Sequence, residues 1–398
     1  MGSPDFVHRS RCAIAGIGHT DYSKDSGRSE LTLATEASLS ALVDAGLSAR
    51  AVDGIICCQD DLVRPNSLAE SLGVVDLTYI GSNGPGGTAP CSQVGQAVGA
   101  ILSGQASTVL IYRTLNGRSG RRYGMAPPGI DGREVGGMGT FDEYFFPYGF
   151  FTPAHAYAML ARRHMIQYGT TSEQLGAYAV TARARANANP DAIMYTIPLT
   201  LEEYLTAPVI ADPLRRFDCA MENDGACALV VTSTARARDL RQPAAIIRAV
   251  AFGSGSEPQP GILYPYLTRS DITTTPSVHT AQTLYARAGL GPDDIHVAQF
   301  YDCFTISALV QVEDYGFCKK GEGGPFAEDG GIDLCGRLPI NTSGGHLSES
   351  YINGITHLLE GVRQVRGIST GQVPGAETCL VASGPPAATG AVVLTVDR

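Results

Sequence analysis

One local design occurs twice in this chain, 243 residues apart (Gly46 to Gly289). Leu31 to Ala45 carries apolar residues at helical spacing, Gly46 ends it, and Val52 to Cys57 follows as a short apolar run. Ala288-Gly289-Leu290 repeats Ala45-Gly46-Leu47, and Ile295 to Phe300 is the run that follows it. Each glycine suits the left-handed cap that closes a helix, and each run reads as a buried strand. A second correspondence links the helix ending at Ile101–Gly104, before the strand Thr108 to Tyr112, with the helix ending at Val362–Gly367. Repeated helix–strand units in two halves predict stacked α/β layers with mostly parallel strands. Ligands bind at the carboxyl ends of such strands. The offset carries Tyr301-Asp302 onto Cys58-Gln59, a strand end in both halves.

Ala13 to Gly18 reads as the first strand, and Cys227 to Thr232, introduced by Asp218 to Ala226, closes the first half. Between the halves lies a long insertion, rich in Gly, Pro and Tyr from Gly117 to Pro153 and then helical from Ala154 to Asn187. It is too long for a plain connection and is expected to pack as a lid over the pocket or as a dimer-forming arm. The expected organisation is a first half of residues 11–115 with 213–240, an inserted subdomain of 116–212, and a second half of 241–398. Met1 to Ser10 is irregular.

With 398 residues, 44% hydrophobic and 17% charged, the chain can bury a large α/β core. A net charge of −10 argues against nucleic acid or an anionic membrane as partner. No apolar run approaches the ~18 residues of a membrane span. Ten cysteines without C-x-x-C spacing or a signal peptide read as free, buried thiols in a reducing compartment, the cytoplasm. The eight histidines are scattered singly, so no metal set is expected. Gly84-Pro85-Gly86-Gly87 lacks the spacing of a dinucleotide fingerprint and the acidic residue ~20 positions later. No cofactor is expected beyond what a substrate brings.

Two motifs carry a family resemblance. Asn341-Thr342-Ser343-Gly344-Gly345-His346-Leu347-Ser348-Glu349-Ser350-Tyr351-Ile352-Asn353-Gly354 is similar to the loop of the thiolase superfamily in which Gly-Gly is followed by Gly-His-Pro. Ser350-Tyr351-Ile352 replaces that tripeptide. Tyr301-Asp302-Cys303-Phe304 resembles the His-Asp-Cys-Phe motif of the sterol-carrier-protein (lipid-transfer-protein) thiolase-like branch, again with Tyr for His. Glu313 to Cys318, Asn223-Asp224-Gly225-Ala226 and Arg113 to Gly120 agree with it, so the resemblance covers nearly the whole chain. It implies an α/β thiolase fold of duplicated βαβαβαββ halves in five αβαβα layers, acyl-CoA binding and a homodimer. It also implies a hetero-complex with a small partner carrying an OB-fold and a zinc ribbon.

The departures matter as much. The resemblance, counted back from Gly104, puts the thiolase nucleophile at Gly87, which has no thiol; Cys91 lies about one turn later. The second thiolase cysteine belongs to a Cys-x-Gly, where this chain reads Ala382-Ser383-Gly384-Pro385, with Cys379 a few residues early. Cys303 belongs to its motif as a structural neighbour. Both lost histidines have become tyrosine, which can give or accept a proton. The steroid side-chain-cleaving acyl-CoA aldolases of the superfamily look like this. What that implies is retro-aldol cleavage of a β-hydroxyacyl-CoA, a steroid side-chain thioester, to a ketone and a short acyl-CoA such as propionyl-CoA.

In that scheme Tyr351 and Tyr301 are the acid–base pair, with Tyr351 as base. A phenol pKa near ~10 needs a cation or oriented donors to lower it, and His346 is the candidate in the same loop. Asp302 would orient its neighbours. Backbone N–H groups at Gly86-Gly87 and Gly344-Gly345 are candidate oxyanion donors. Arg118, Arg121 and Arg122 either steer CoA phosphates or form a solvated arm, and Tyr144, Tyr148, Tyr264 and Tyr266 either line the pocket or pack with hydroxyls outward. The competing readings are a divergent thiolase (acetyl-CoA acyltransferase) using another cysteine, and a non-catalytic acyl-CoA-binding scaffold subunit.

Overall fold

The computed structural model describes residues 8–84, 86–120, 122, 146–150, 152–258, 265–385 and 388–397. Its strands are β1 (Cys12–His19), β2 (Gly54–Cys58), β3 (Tyr79–Asn83), β4 (Thr108–Asn116), β5 (Val209–Ala211), β6 (Leu214–Arg215), β7 (Asp224–Ser233), β8 (Ala245–Gly253), β9 (Val297–Gln299), β10 (Thr378–Ala382) and β11 (Thr389–Thr395). Nine of them line up as β3-β2-β4-β7-β1-β8-β11-β10-β9, and β5 pairs with β6 apart from the rest. The duplication is explicit in the pairing. β2 runs parallel to β4, β4 antiparallel to β7, and β7 antiparallel to β1. β9, β10, β11 and β8 repeat that sequence of contacts. Ala298 bridges in parallel to Ile340, where β3 lies beside β2 in the first half. β2 and β9 begin at Gly54 and Val297, the separation seen in the sequence. The halves join where Cys12 to Ile14 of β1 pair with Ala245 to Ile247 of β8.

Alternation along the strands builds the layers, because successive side chains leave opposite faces of a sheet. Ala13, Ile55, Leu110 and Ala228 pack on Leu33, Ala37 and Ala41 of helix α1 (Glu30–Ala45). Ile14, Ile56, Ile111 and Leu229 point the other way, onto two central helices, α3 (Ala89–Leu102) and α8 (Ile355–Arg366). Val381 and Val392 of the second half close that central layer from its far side. Leu380 and Val393 then face outward onto α6 (Ser277–Ala288) and α7 (Thr305–Asp314). The short α2 (Pro65–Leu72) lies beside α1. Helix, sheet, helix pair, sheet and helix follow one another as the resemblance implies.

Helix ends obey the local chemistry. Ser29 caps α1 by accepting from the Thr32 N–H at 3.1 Å, and Gly46 (φ 72°) ends it. The helical stretch 154–187 is two helices, α4 (Pro153–Tyr168) and α5 (Ser172–Ala186), because Gly169 takes φ 80° and breaks the run. These helices do not form a body of their own. Tyr157, Leu160, Leu175 and Tyr178 share one core with α7 and strands β10 and β11. Most of the Gly117–Pro153 stretch, with Tyr144 and Arg121, lies outside the described residues, as do Tyr264 and the Tyr266 side chain. Tyr148 is exposed. All ten cysteines are free thiols. No helix among the described residues is long and apolar enough to cross a membrane.

Candidate active site

Tyr301 follows β9 and Tyr351 sits in the loop leading to α8, and the fold brings their hydroxyls to 2.8 Å. Each is pinned through its backbone: the Tyr301 N–H donates to Gln311 of α7 (3.3 Å), and the Tyr351 N–H donates to Asn223 Oδ1 (2.6 Å). Three glycines make room for the Tyr301 ring. A Cβ at Gly354 would come within 2.9 Å of it and one at Gly384 within 3.0 Å, both tighter than real contacts allow in a packed core. A Cβ at Gly87 would overlap the Tyr301 hydroxyl and its ring carbon outright. The Gly384 N–H donates to the Gly87 carbonyl at 2.8 Å, tying two of these glycines together. The phenol thus occupies the space where a side chain at the start of α3 would lie.

A polar chain that motif reading missed runs behind Tyr351. The Asn353 amide nitrogen donates to the Tyr351 hydroxyl at 3.2 Å. Asn353 Oδ1 accepts from Nε (3.0 Å) and Nη2 (2.9 Å) of Arg113, a fully buried arginine on β4. Arg113 pairs in turn with Asp60 at 3.1 Å and Asp61 at 3.4 Å, past the end of β2. The available signal was Asn353 itself, held at φ 49°, a conformation asparagine tolerates better than most side chains.

Asp302 organises a buried hub beneath the pair. One carboxylate oxygen accepts the His346 backbone N–H (2.8 Å) and lies 3.1 Å from His357 Nε2; the other accepts the Tyr178 hydroxyl at 3.0 Å. Burial opposes its charge, but the contacts with His357 and His346 outweigh that and hold the carboxyl below its ordinary range. His346 meets both tyrosine rings edge-on, with centroids at 4.6 and 5.0 Å. It does not supply the expected cation. Burial, then His357, push its imidazole well below the ordinary value, so it is neutral, and neither ring nitrogen has a hydrogen-bond partner. Asp302, His346 and His357 bring possible ligand atoms within 4.8 Å of one another. The two imidazoles stack at 4.0 Å, however, so their in-plane lone pairs do not converge on a common point.

The proposed oxyanion donors separate. Gly344 spends its N–H on the Asn341 carbonyl (3.0 Å), and Gly345 abuts Asp302 and Asn341 rather than the tyrosine hydroxyls. The Gly86 N–H donates to Asp60 at 3.1 Å. Gly87 alone of the four lies against the hydroxyl pair. Arg118 is tied through its backbone to Asp224, and Arg122 pairs with Glu222.

Residues 265–395 match the thiolase C-terminal domain-like family. A steroid side-chain-cleaving aldolase from Thermomonospora curvata is 44% identical over 97% of this chain and 98% of its own length. A 17-hydroxy-3-oxo-4-pregnene-20-carboxyl-CoA lyase from Mycobacterium tuberculosis is 43% identical over 96% and 99%. This chain belongs to the steroid side-chain-cleaving aldolases. The solved structure of an Ltp2-ChsH2(DUF35) aldolase superposes with a TM-score of 0.92 at 42% identity, covering 98% of this chain and 99% of that one.

In this aldolase no thiol is poised as a thiolase nucleophile. Cys91 is buried in α3 with its Sγ toward the Val381 carbonyl (3.4 Å), and burial pushes it up to about 12. Cys379 is buried in β10 and is likewise pushed well up by burial. Cys303 lies near the tyrosines, and burial again pushes its thiol up to about 12. Burial also raises both phenols. Tyr301 is raised well above its ordinary value by burial and then by Tyr351. For Tyr351, burial and Cys303 raise the pKa, while the Tyr301 hydroxyl and the Arg113 charge work to lower it.

Proposed function

We propose that this protein cleaves a β-hydroxyacyl-CoA thioester of a steroid side chain by a retro-aldol reaction, releasing a ketone and a short acyl-CoA such as propionyl-CoA. The observation that carries this reading is the pair of tyrosine hydroxyls 2.8 Å apart at Gly87, where thiolase chemistry would need a thiolate. Tyr351 takes the proton of the β-hydroxyl as its oxygen becomes the ketone carbonyl. The Cα–Cβ bond breaks and its electron pair moves to Cα and the thioester oxygen as an enolate. Tyr301 returns a proton to Cα, and the Gly87 N–H at the start of α3 faces the enolate oxygen. No covalent enzyme intermediate, metal or further cofactor enters the scheme; the CoA is the substrate's own.

The protein works in the cytoplasm as a homodimer, bound to a small OB-fold and zinc-ribbon partner. An edge strand, β3, with Ile80 exposed supports the first contact. The two-protein name of the Ltp2-ChsH2(DUF35) aldolase supports the second.

The test is incubation, with and without the partner, of the protein with a 17-hydroxysteroid side-chain CoA thioester. Release of ketone at a rate independent of added free CoA is the expected result. Cleavage that requires free CoA would replace this reading with thiolysis, and no cleavage in either state would leave a scaffold.

A further inference from the structure

The two tyrosines share one hydrogen bond, and by themselves they are interchangeable: either hydroxyl could be the donor. Their surroundings are not symmetric. Asn353 touches Tyr351, and its amide has only one admissible orientation. Its oxygen accepts two N–H groups from Arg113, a cation that can only donate. Flipping the amide would set its NH₂ against that guanidinium and its oxygen against Tyr351. The NH₂ therefore faces the Tyr351 oxygen, and Asp60 and Asp61 hold Arg113 in place from behind.

We propose that Asn353, locked by Arg113, is the positioning residue that makes Tyr351 the base of the pair and Tyr301 the donor. This rests on the acid–base reading of the two phenols and adds to it the residue that assigns their roles. With the Asn353 N–H and the Tyr301 O–H both aimed at it, the Tyr351 oxygen carries two donors, the arrangement that favours a phenolate. Among the hydroxyls and polar side chains placed here, Tyr301 gains no equivalent donor: its ring is enclosed by Gly87, Gly354 and Gly384. The charged and titratable groups facing Tyr351 are Tyr301 and Cys303 after β9, Arg113 on β4, Asp60 after β2 and His346 in its own loop. Asp60 offsets part of the Arg113 charge, so the oriented amide is the discriminating contact.

Asn353→Asp is the incisive variant. It keeps the shape and the tolerance for φ 49°, and it gives Arg113 a charged partner. It also turns the donor beside Tyr351 into an anionic acceptor. Asn353→Gly removes the donor without adding charge. In the holo-complex, the pH profile of kcat for Asn353→Asp should move upward by about one unit, with kcat at neutral pH reduced about tenfold or more and KM little changed. Asn353→Gly should move the same way by less. Profiles of both variants that coincide with the wild type overturn the proposal. A second measurement needs no turnover: tyrosinate difference titration of the wild type against Tyr351→Phe and Tyr301→Phe. Loss of the earlier-ionising phenol in Tyr351→Phe is expected. Its loss in Tyr301→Phe instead overturns the assignment while leaving the acid–base pair standing. Wild-type cleavage by both Phe variants would remove the pair itself.

Discussion

Gly87 and Tyr301 fit together only as a pair: the hydroxyl of the one fills the volume that any side chain on the other would need. The position at which a thiolase carries its nucleophile is therefore sterically closed to one here. Substituting Gly87→Ala should displace a ring that Gly354 and Gly384 leave nowhere to go. The expected cost is about 1–3 kcal/mol of overpacking, with loss of cleavage. In a double-mutant cycle with Tyr301→Ala, thermal unfolding should show the pair less destabilised than the sum of the singles. Additive melting shifts would contradict the steric argument.

Removing either hydroxyl tests the chemistry without disturbing the packing. Tyr301→Phe keeps the ring between its glycines, and Tyr351→Phe keeps the loop pinned by Asn223. Each should lower kcat by about 10²- to 10⁴-fold, the usual worth of a general acid or base. Melting temperature and affinity for the CoA thioester should hold. Steady-state kinetics beside calorimetric binding separates these effects.

Cys91→Ala should leave the cleavage rate unchanged. Its thiol is sealed against the Val381 carbonyl and pushed up to about 12 by burial, so it is neither ionised nor reachable. Alkylation of the folded enzyme should spare it, as peptide mapping of the modified protein would show. Inactivation that tracks modification of Cys91 would restore a cysteine mechanism.

His346 makes a prediction about stability and pH. In the fold its imidazole lies well below the ordinary 6.5 and is neutral, because it is buried beside His357. The unfolded chain takes up that proton below about pH 6.5, so it binds more protons than the folded one there. The contribution is complete above that value and is lost as the pH falls beneath it. Glu349 acts in the opposite sense: burial raises it to about 7 from 4.5, so its contribution is lost as the pH rises through that window. Comparison with His346→Phe isolates the first effect. Because neither ring nitrogen has a hydrogen-bond partner, that variant should melt near the wild type at pH 7 and resist acid better. Parallel melting curves from pH 7 to 5 would refute this.

Much of the fold was legible because it rests on local periodicity. The Gly46 and Gly289 caps and the spacing of β2 and β9 emerge in the structure where the repeat placed them. The meeting of Tyr301 and Tyr351 was readable through two motifs that end in one cavity. Other features were not local. Arg113 and Asn353 lie 240 positions apart in the chain and are joined by the central layer. Whether His346 carries a charge depends on burial by elements distant in sequence. The break at Gly169 could have been foreseen, since an isolated glycine in a helical pattern is also a potential cap. The hydrogen bonds of Gly344 and Gly86, by contrast, depend on loop geometry that no spacing rule supplies.

The interlock at the start of α3 also constrains how such a catalyst could arise. A cysteine at position 87 and a tyrosine at position 301 cannot coexist in this backbone. A lineage passing from sulfur to phenol chemistry had to give up its nucleophile before the ring could settle, and so crossed a stage with neither. The reverse journey meets the same gap, which makes each chemistry a one-way commitment for any single substitution.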